Sequence, residues 1–196
     1  MSTVKKISSA IILLLFTSDL LCQYPGIRLF VGGGRSFNGS GDAAGYAFIN
    51  QVDIRWGSRF YLSPGIQLTN HFQTQYIASY QLRNVTTGIS VYTNLNCLLL
   101  NSRKHQIAIG AGPVGRLQST SVPTDISYGV SAPANNPMLS IQYSEPVHTL
   151  ALGYNVSPSY NFRVSPRLTL SAKLCLQNDT RADLITSEMI LLGISL

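Results

Sequence analysis

Apolar and polar residues alternate with a period of two over most of the chain. From Tyr46 to Trp56 one parity reads Tyr46, Phe48, Asn50, Val52, Ile54, Trp56, and the other reads Ala47, Ile49, Gln51, Asp53, Arg55. From Phe60 to Phe72 the even set is mostly apolar, while the odd set holds Tyr61, Ser63, Gln67, Thr69 and His71. The split is cleanest between Arg167 and Gln177, where Leu168, Leu170, Ala172, Leu174 and Leu176 oppose Thr169, Ser171, Lys173 and Cys175. Successive side chains leave a strand on opposite faces, so this period means strands. Eight are predicted, over 26–34, 46–56, 60–72, 84–98, 105–117, 147–161, 167–177 and 186–196.

Their connections alternate in length. Gly57 to Arg59, Asn101 to Lys104 and Phe162 to Pro166 read as short turns; Arg35 to Gly45, Gln73 to Arg83, Gln118 to Pro146 and Asn178 to Ile185 read as longer loops. An even strand number with short turns at one end and long loops at the other marks a transmembrane barrel. Closure is needed because an open sheet edge in lipid leaves backbone groups unpaired. Trp56 and Phe60 at one end, with Tyr46 and Phe72 at the other, sit where interfacial aromatic girdles belong. The expected fold is all-β, an eight-stranded antiparallel up-and-down transmembrane barrel. A soluble lipocalin-like barrel would carry many outward charges, which this pattern lacks.

The start of the chain reads differently. Lys5 and Lys6 precede an apolar run from Ile7 to Phe16, after which Thr17, Ser18 and Asp19 turn polar. The run is too short to span hydrocarbon as a helix and suits a secretory signal peptide. Residues 1–22 are expected to be removed, leaving Gln23 first and 23–196 as the barrel domain; an uncleaved anchor and acylation at Cys22 are the alternatives, the bulky Leu21 arguing against the second.

Charged residues are only 11% of the 196 positions, and the net charge of +6 reflects 8 acids rather than abundant bases. No Lys/Arg-rich run exists, so a nucleic-acid partner is not supported. Cys97 falls on an apolar strand face and Cys175 on a polar one, which argues against a disulfide between them.

Three stretches, Phe60 to Leu68 (FYLSPGIQL), Ile107 to Leu117 (IAIGAGPVGRL) and Leu191 to Leu196 (LLGISL), resemble the small outer-membrane β-barrel proteins called PorT-like, found in the Bacteroidetes group of Gram-negative bacteria. The terminal Leu196 departs from the Phe or Trp that ends many outer-membrane barrels. The resemblance implies a barrel of the outer membrane with no catalytic signature, and suggests a role in protein secretion.

Candidate chemistry is sparse. Gly110 to Gly115 matches G-x-G-x-x-G, but Pro113 and the non-helical residues after it do not suit a dinucleotide site. Gly110 and Gly112 are expected instead to make room in a crowded lumen. Gly34 to Gly39 has phosphate-loop spacing without the lysine. His71 and His148, both at long-loop strand ends, are the residues to weigh for a lipid A-modifying enzyme, and are expected to be water-exposed rim histidines; His105 is expected at the opposite interface. No metal-ligand spacing occurs, and no cofactor is expected.

By parity, Arg28, Asp53, Arg55, Arg116, Arg167 and Lys173 point inward as a lumen polar cluster of five bases and one acid. An eight-stranded barrel is just wide enough for side chains to fill, so Asp53 is expected to pair with Arg28 or Arg55 in a packed plug. An anion-favouring path is the alternative. The loop Gln118 to Pro146, proline-stiffened and nearly uncharged, is a candidate for a protein partner or a cap on the barrel mouth.

The reading is a non-enzymatic barrel of the cell outer membrane with both termini periplasmic. It would act in envelope integrity or surface interaction through its loops, in contact with outer-membrane lipid and lipopolysaccharide. The alternatives are a small pore for anionic or polar solutes, or a lipid A-modifying enzyme.

Overall fold

Among the described residues ten strands form, and eight of them close on one another. A computed structural model describes residues 26–39, 43–77, 80–131, 136–180 and 184–196. The expected signal peptide therefore lies outside the described residues. In chain order the strands are β1 (Ile27–Asn38), β2 (Ala43–Trp56), β3 (Phe60–Ile77), β4 (Tyr80–Asn101), β5 (His105–Ser121), β6 (Pro123–Ser131), β7 (Asn136–Tyr143), β8 (Val147–Arg163), β9 (Leu168–Asp179) and β10 (Ile185–Ser195). The barrel order is β1-β10-β9-β8-β5-β4-β3-β2, with every neighbouring pair antiparallel. β6 and β7 form a separate hairpin between β5 and β8.

The register fixes the shape. Paired residues followed round the wall from Ile107 through Tyr160, Ala172, Ile190, Gly33, Phe48, Leu68 and Ile89 return to β5 at Leu117, ten residues further on. With usual strand spacings that stagger tilts the strands by about 40°. Each residue then climbs about 2.5 Å along the barrel axis, and each step to the next strand about 3 Å. Tyr46 and Trp56, both exposed on β2, stand about 25 Å apart on this scale, the height of a lipid-facing band.

Alternation decides inside from outside. Outward on β2 and β3 stand Tyr46, Phe48, Ile54, Trp56, Phe60, Ile66 and Leu68, all exposed; inward stand Ala47, Ile49, Gln51, Asp53, Tyr61, Ser63, Gln67 and Thr69, all buried. The polar side chains are inside and the apolar ones outside, the reverse of a soluble barrel. Gly57, with φ of 79°, makes the tight turn from β2 to β3 in a conformation that costs other residues dearly.

The strands overrun their expected ends. β3 and β4 pair without a break from Phe60 opposite Cys97 to Ile77 opposite Tyr80, where Gln73 to Arg83 was expected as a loop. Beyond the lipid band both faces meet water, so strand residues such as Gln73, Thr74, Asn84 and Thr86 carry no apolar marker. β1 likewise runs past its expected end, through Arg35 to Asn38. The expected loop Gln118 to Pro146 is mostly the β6–β7 hairpin, continued from the wall by Ser144 donating its N–H to the Val122 carbonyl at 2.8 Å.

Candidate functional site

The interior is filled in three layers. Asp53, 2% exposed, anchors the layer nearer the short turns. It accepts from Arg28 Nη2 at 3.2 Å, Gln51 Nε2 at 2.5 Å and Ser63 Oγ at 2.6 Å. β1 and β2 place Arg28 directly opposite Asp53, which is why this pair forms. Arg28 also donates to Gln106 Oε1 at 2.8 Å and lies over the rings of Phe30 and Tyr61. Lys173 and Tyr92 both donate to Gln51 Oε1, and the Lys173 ammonium sits 5.2 Å from the Tyr92 ring centroid. Asn96 donates to Ser63 Oγ at 2.8 Å, and Asn94 to Ser157 Oγ at 2.9 Å.

Above it lies an apolar layer of Phe30, Ala47, Ile49, Tyr92, Val114, Cys175, Met189 and Leu191. A second polar layer follows toward the long loops. There Arg116 and Asp179 pair at 3.4 Å with side chains at 0% exposure, and Gln177 donates to the same carboxylate oxygen. Beside them His71 Nε2 bonds Ser36 Oγ at 2.9 Å, Ser36 bonds Ser187 at 2.9 Å, and Gln67 donates to Ser187 at 3.0 Å. Arg116 Nε and Nη2, His71 Nδ1 and Ser90 Oγ have no protein partner, and internal water is what satisfies such groups.

The space left is small. A vestibule of about 160 Å³ opens by Arg28, Asp53, Arg55 and Leu196. Beside Gln51, Asp53 and Lys173 the space falls to about 10 Å³, room for about one water molecule at most.

Of the six expected lumen residues, Arg28, Asp53 and Lys173 meet in the lower layer, and Arg116 stands in the upper. Arg167 is a correction, exposed at the short-turn rim, while Arg55, also exposed there, lines the vestibule beside Arg28 and Asp53 without bonding either. Arg55 donates to the carbonyls of Gly57 and Ser58, since its strand ends one residue later. Arg167 falls in the turn before β9. His71 is also a correction. It is 1% exposed rather than on the rim, because β3 runs on to Ile77 and the wall rises past it. His148 is exposed, and His105 bonds the Tyr160 hydroxyl at 2.7 Å outside the wall. The bond between His71 and Ser36 has the residue types of a nucleophile and base, but both are sealed from substrate.

Sequence reasoning missed Asp179, which was expected in a loop, and the amide and hydroxyl partners Gln51, Ser63, Ser36 and Ser187. The signal for Asp179 was present, since the inward parity Cys175, Gln177, Asp179 continues unbroken. Gly110 and Gly112 do make room in the lumen. A Cβ on Gly110 would meet the Asn96 amide and one on Gly112 the Thr93 carbonyl. Gly110→Ala should therefore cost about 1–3 kcal/mol of unfolding free energy in a urea titration of the refolded barrel. Among the described residues no cluster of three or more His, Cys, Asp or Glu is placed to hold a metal.

An apolar outer wall, a sealed polar interior and closed antiparallel pairing define a transmembrane β-barrel of eight strands. Solved structures of that architecture are similar in fold. Neisserial surface protein A superposes with a TM-score of 0.54 at 10% identity, covering 87% of this chain and 96% of its own. Ail, the attachment invasion locus protein of Yersinia pestis, superposes at 0.50 and 7% identity, covering 88% of this chain and 100% of its own. No family model matches the sequence, and a sequence search of curated proteins returned no match.

Proposed function

We propose that this protein is a non-enzymatic barrel of the outer membrane of a Gram-negative cell, with both termini and the three short turns on the periplasmic side. Its work is structural or adhesive, done by the hairpins that stand above the lipid band. The observation carrying this reading is the filled lumen. Two hydrogen-bonded layers with an apolar layer between them leave no room for a solute to pass or for a substrate to reach His71. The resemblance in fold to a neisserial surface protein and an attachment protein supports a surface role. The β3–β4 hairpin and the β6–β7 hairpin are the surfaces offered to a protein partner or to lipopolysaccharide. A PorT-like secretion role would use the same surfaces.

The pore reading is weaker because Arg116 is paired with Asp179 and Arg28 with Asp53, which spends the charge that would attract anions. In planar bilayers the refolded protein should show no discrete conductance steps in potassium chloride. Steps with anion preference that shrink in Arg116→Gln or Lys173→Gln would replace this function with a small pore.

A further inference from the structure

Among the described residues, charged side chains face the lipid band on two strands alone. Near the depth of Phe48, the wall presents Leu68 on β3, Val91 on β4, Tyr154 on β8 and Leu176 on β9. β1 and β10 present Arg35 and Glu188 instead. Both are exposed, both point outward by alternation, and they stand directly opposite in the register. Arg35 also pairs in register with Tyr46 of the upper girdle. By the climb per strand, Arg35 lies about 3 Å and Glu188 about 6 Å inside that girdle. Among the described residues these are the charged side chains of the band, and no ion pair or hydrogen bond is formed by either one.

The same face is concave. A groove of about 760 Å³ is lined by Tyr160, Ala172, Leu174, Ile190, Glu188 and Arg35. On the other side of β1, β2 raises a ridge in which Tyr46 is 61% and Phe48 62% exposed.

We infer that this face is the interface of a two-fold dimer of this chain within the membrane, its axis parallel to the barrel axis between β1 and β10. Rotation by half a turn about such an axis preserves depth and exchanges left with right. β1 of one copy then faces β10 of the other, and β2 faces β9. Arg35 of each copy meets Glu188 of the other at depths about 3 Å apart, within reach of two long side chains. Four charges of alternating sign and no net charge lie together, out of hydrocarbon. The Tyr46 and Phe48 ridge of each copy is brought to the groove side of the other. A self-complementary patch is what an isologous interface requires. A pair closed within one chain would neutralise the charges but leave the groove unfilled and both polar heads facing lipid.

The test is co-purification of two differently tagged full-length chains, expressed together and extracted in mild detergent. Wild-type chains should co-purify. Chains that all carry Arg35→Glu, or all carry Glu188→Arg, should lose co-purification by about tenfold, because each dimer then opposes like charges. Arg35→Glu chains expressed with Glu188→Arg chains should regain it. In that mixture the in-chain pairing stays broken in both copies, so contact between copies alone can restore association. Folding of each variant is read separately from the shift of its unboiled band on a gel. Folded wild-type chains that do not co-purify, single variants that still associate, or a folded mixture that fails to recover would each overturn the dimer.

Discussion

Asp179→Ala should lower the unfolding free energy of the barrel by about 3–5 kcal/mol, the usual cost of stranding one member of a buried ion pair. Arg116 and Asp179 both have side chains at 0% exposure, so the guanidinium left behind has no bulk solvent to turn to. Two of its nitrogens already lack protein partners, which leaves little slack in this layer. Gln177 would lose its acceptor as well. The measurement is a urea titration in vesicles, followed by the fraction of protein migrating as the compact unboiled band. The double variant Arg116→Met with Asp179→Leu should recover much of the loss, because removing both charges removes the desolvation cost with them. An Asp179→Ala midpoint equal to wild type would mean that water reaches this layer freely and the plug is not sealed. Arg167→Ala at the exposed rim is the control, expected within about 0.5 kcal/mol of wild type.

What the chain disclosed in advance follows from where its two solvents differ. Between the girdles one face of each strand meets lipid and the other a polar lumen, so period-two alternation is strong. β2, β5 and β9 could be read there with their faces correct. Above the girdle both faces of β3 and β4 meet water, the alternation vanishes, and Gln73 to Arg83 looks like a loop although it is continuous pairing. That blind spot accounts for the error about His71, whereas Arg35 and Asp179 lie on parities that continue past the assumed strand ends, and the register places them in the wall. Arg167 failed at the opposite end, where the wall has stopped, and Arg55 there reaches the vestibule but not the packed layer. Which charges would pair needed the register. Parity put Arg28, Arg55 and Asp53 on the same inner face, and only the alignment of β1 with β2 sets Arg28 across from Asp53.

That choice of partner carries the second large effect. Asp53→Ala should cost about 3–4 kcal/mol, since one carboxylate accepts from Arg28, Gln51 and Ser63 and its loss strands an arginine and a lysine-bearing amide network together. The loss should fall somewhat below that at Asp179, because the Arg28 side chain keeps 17% exposure, its bond to Gln106 and its place over two rings. A double-mutant cycle on the same urea assay assigns the partner. Arg28→Met and Asp53→Ala should couple by about 1–3 kcal/mol, whereas Arg55→Ala and Asp53→Ala should add independently, their charges being held in different hydrogen-bond sets. Coupling to Arg55 instead would mean that the arginine, which lines the vestibule, leaves its turn carbonyls for Asp53. The mouth of the barrel would then be more open than the packed lower layer shows, and the pore reading would have to be taken up again from that end.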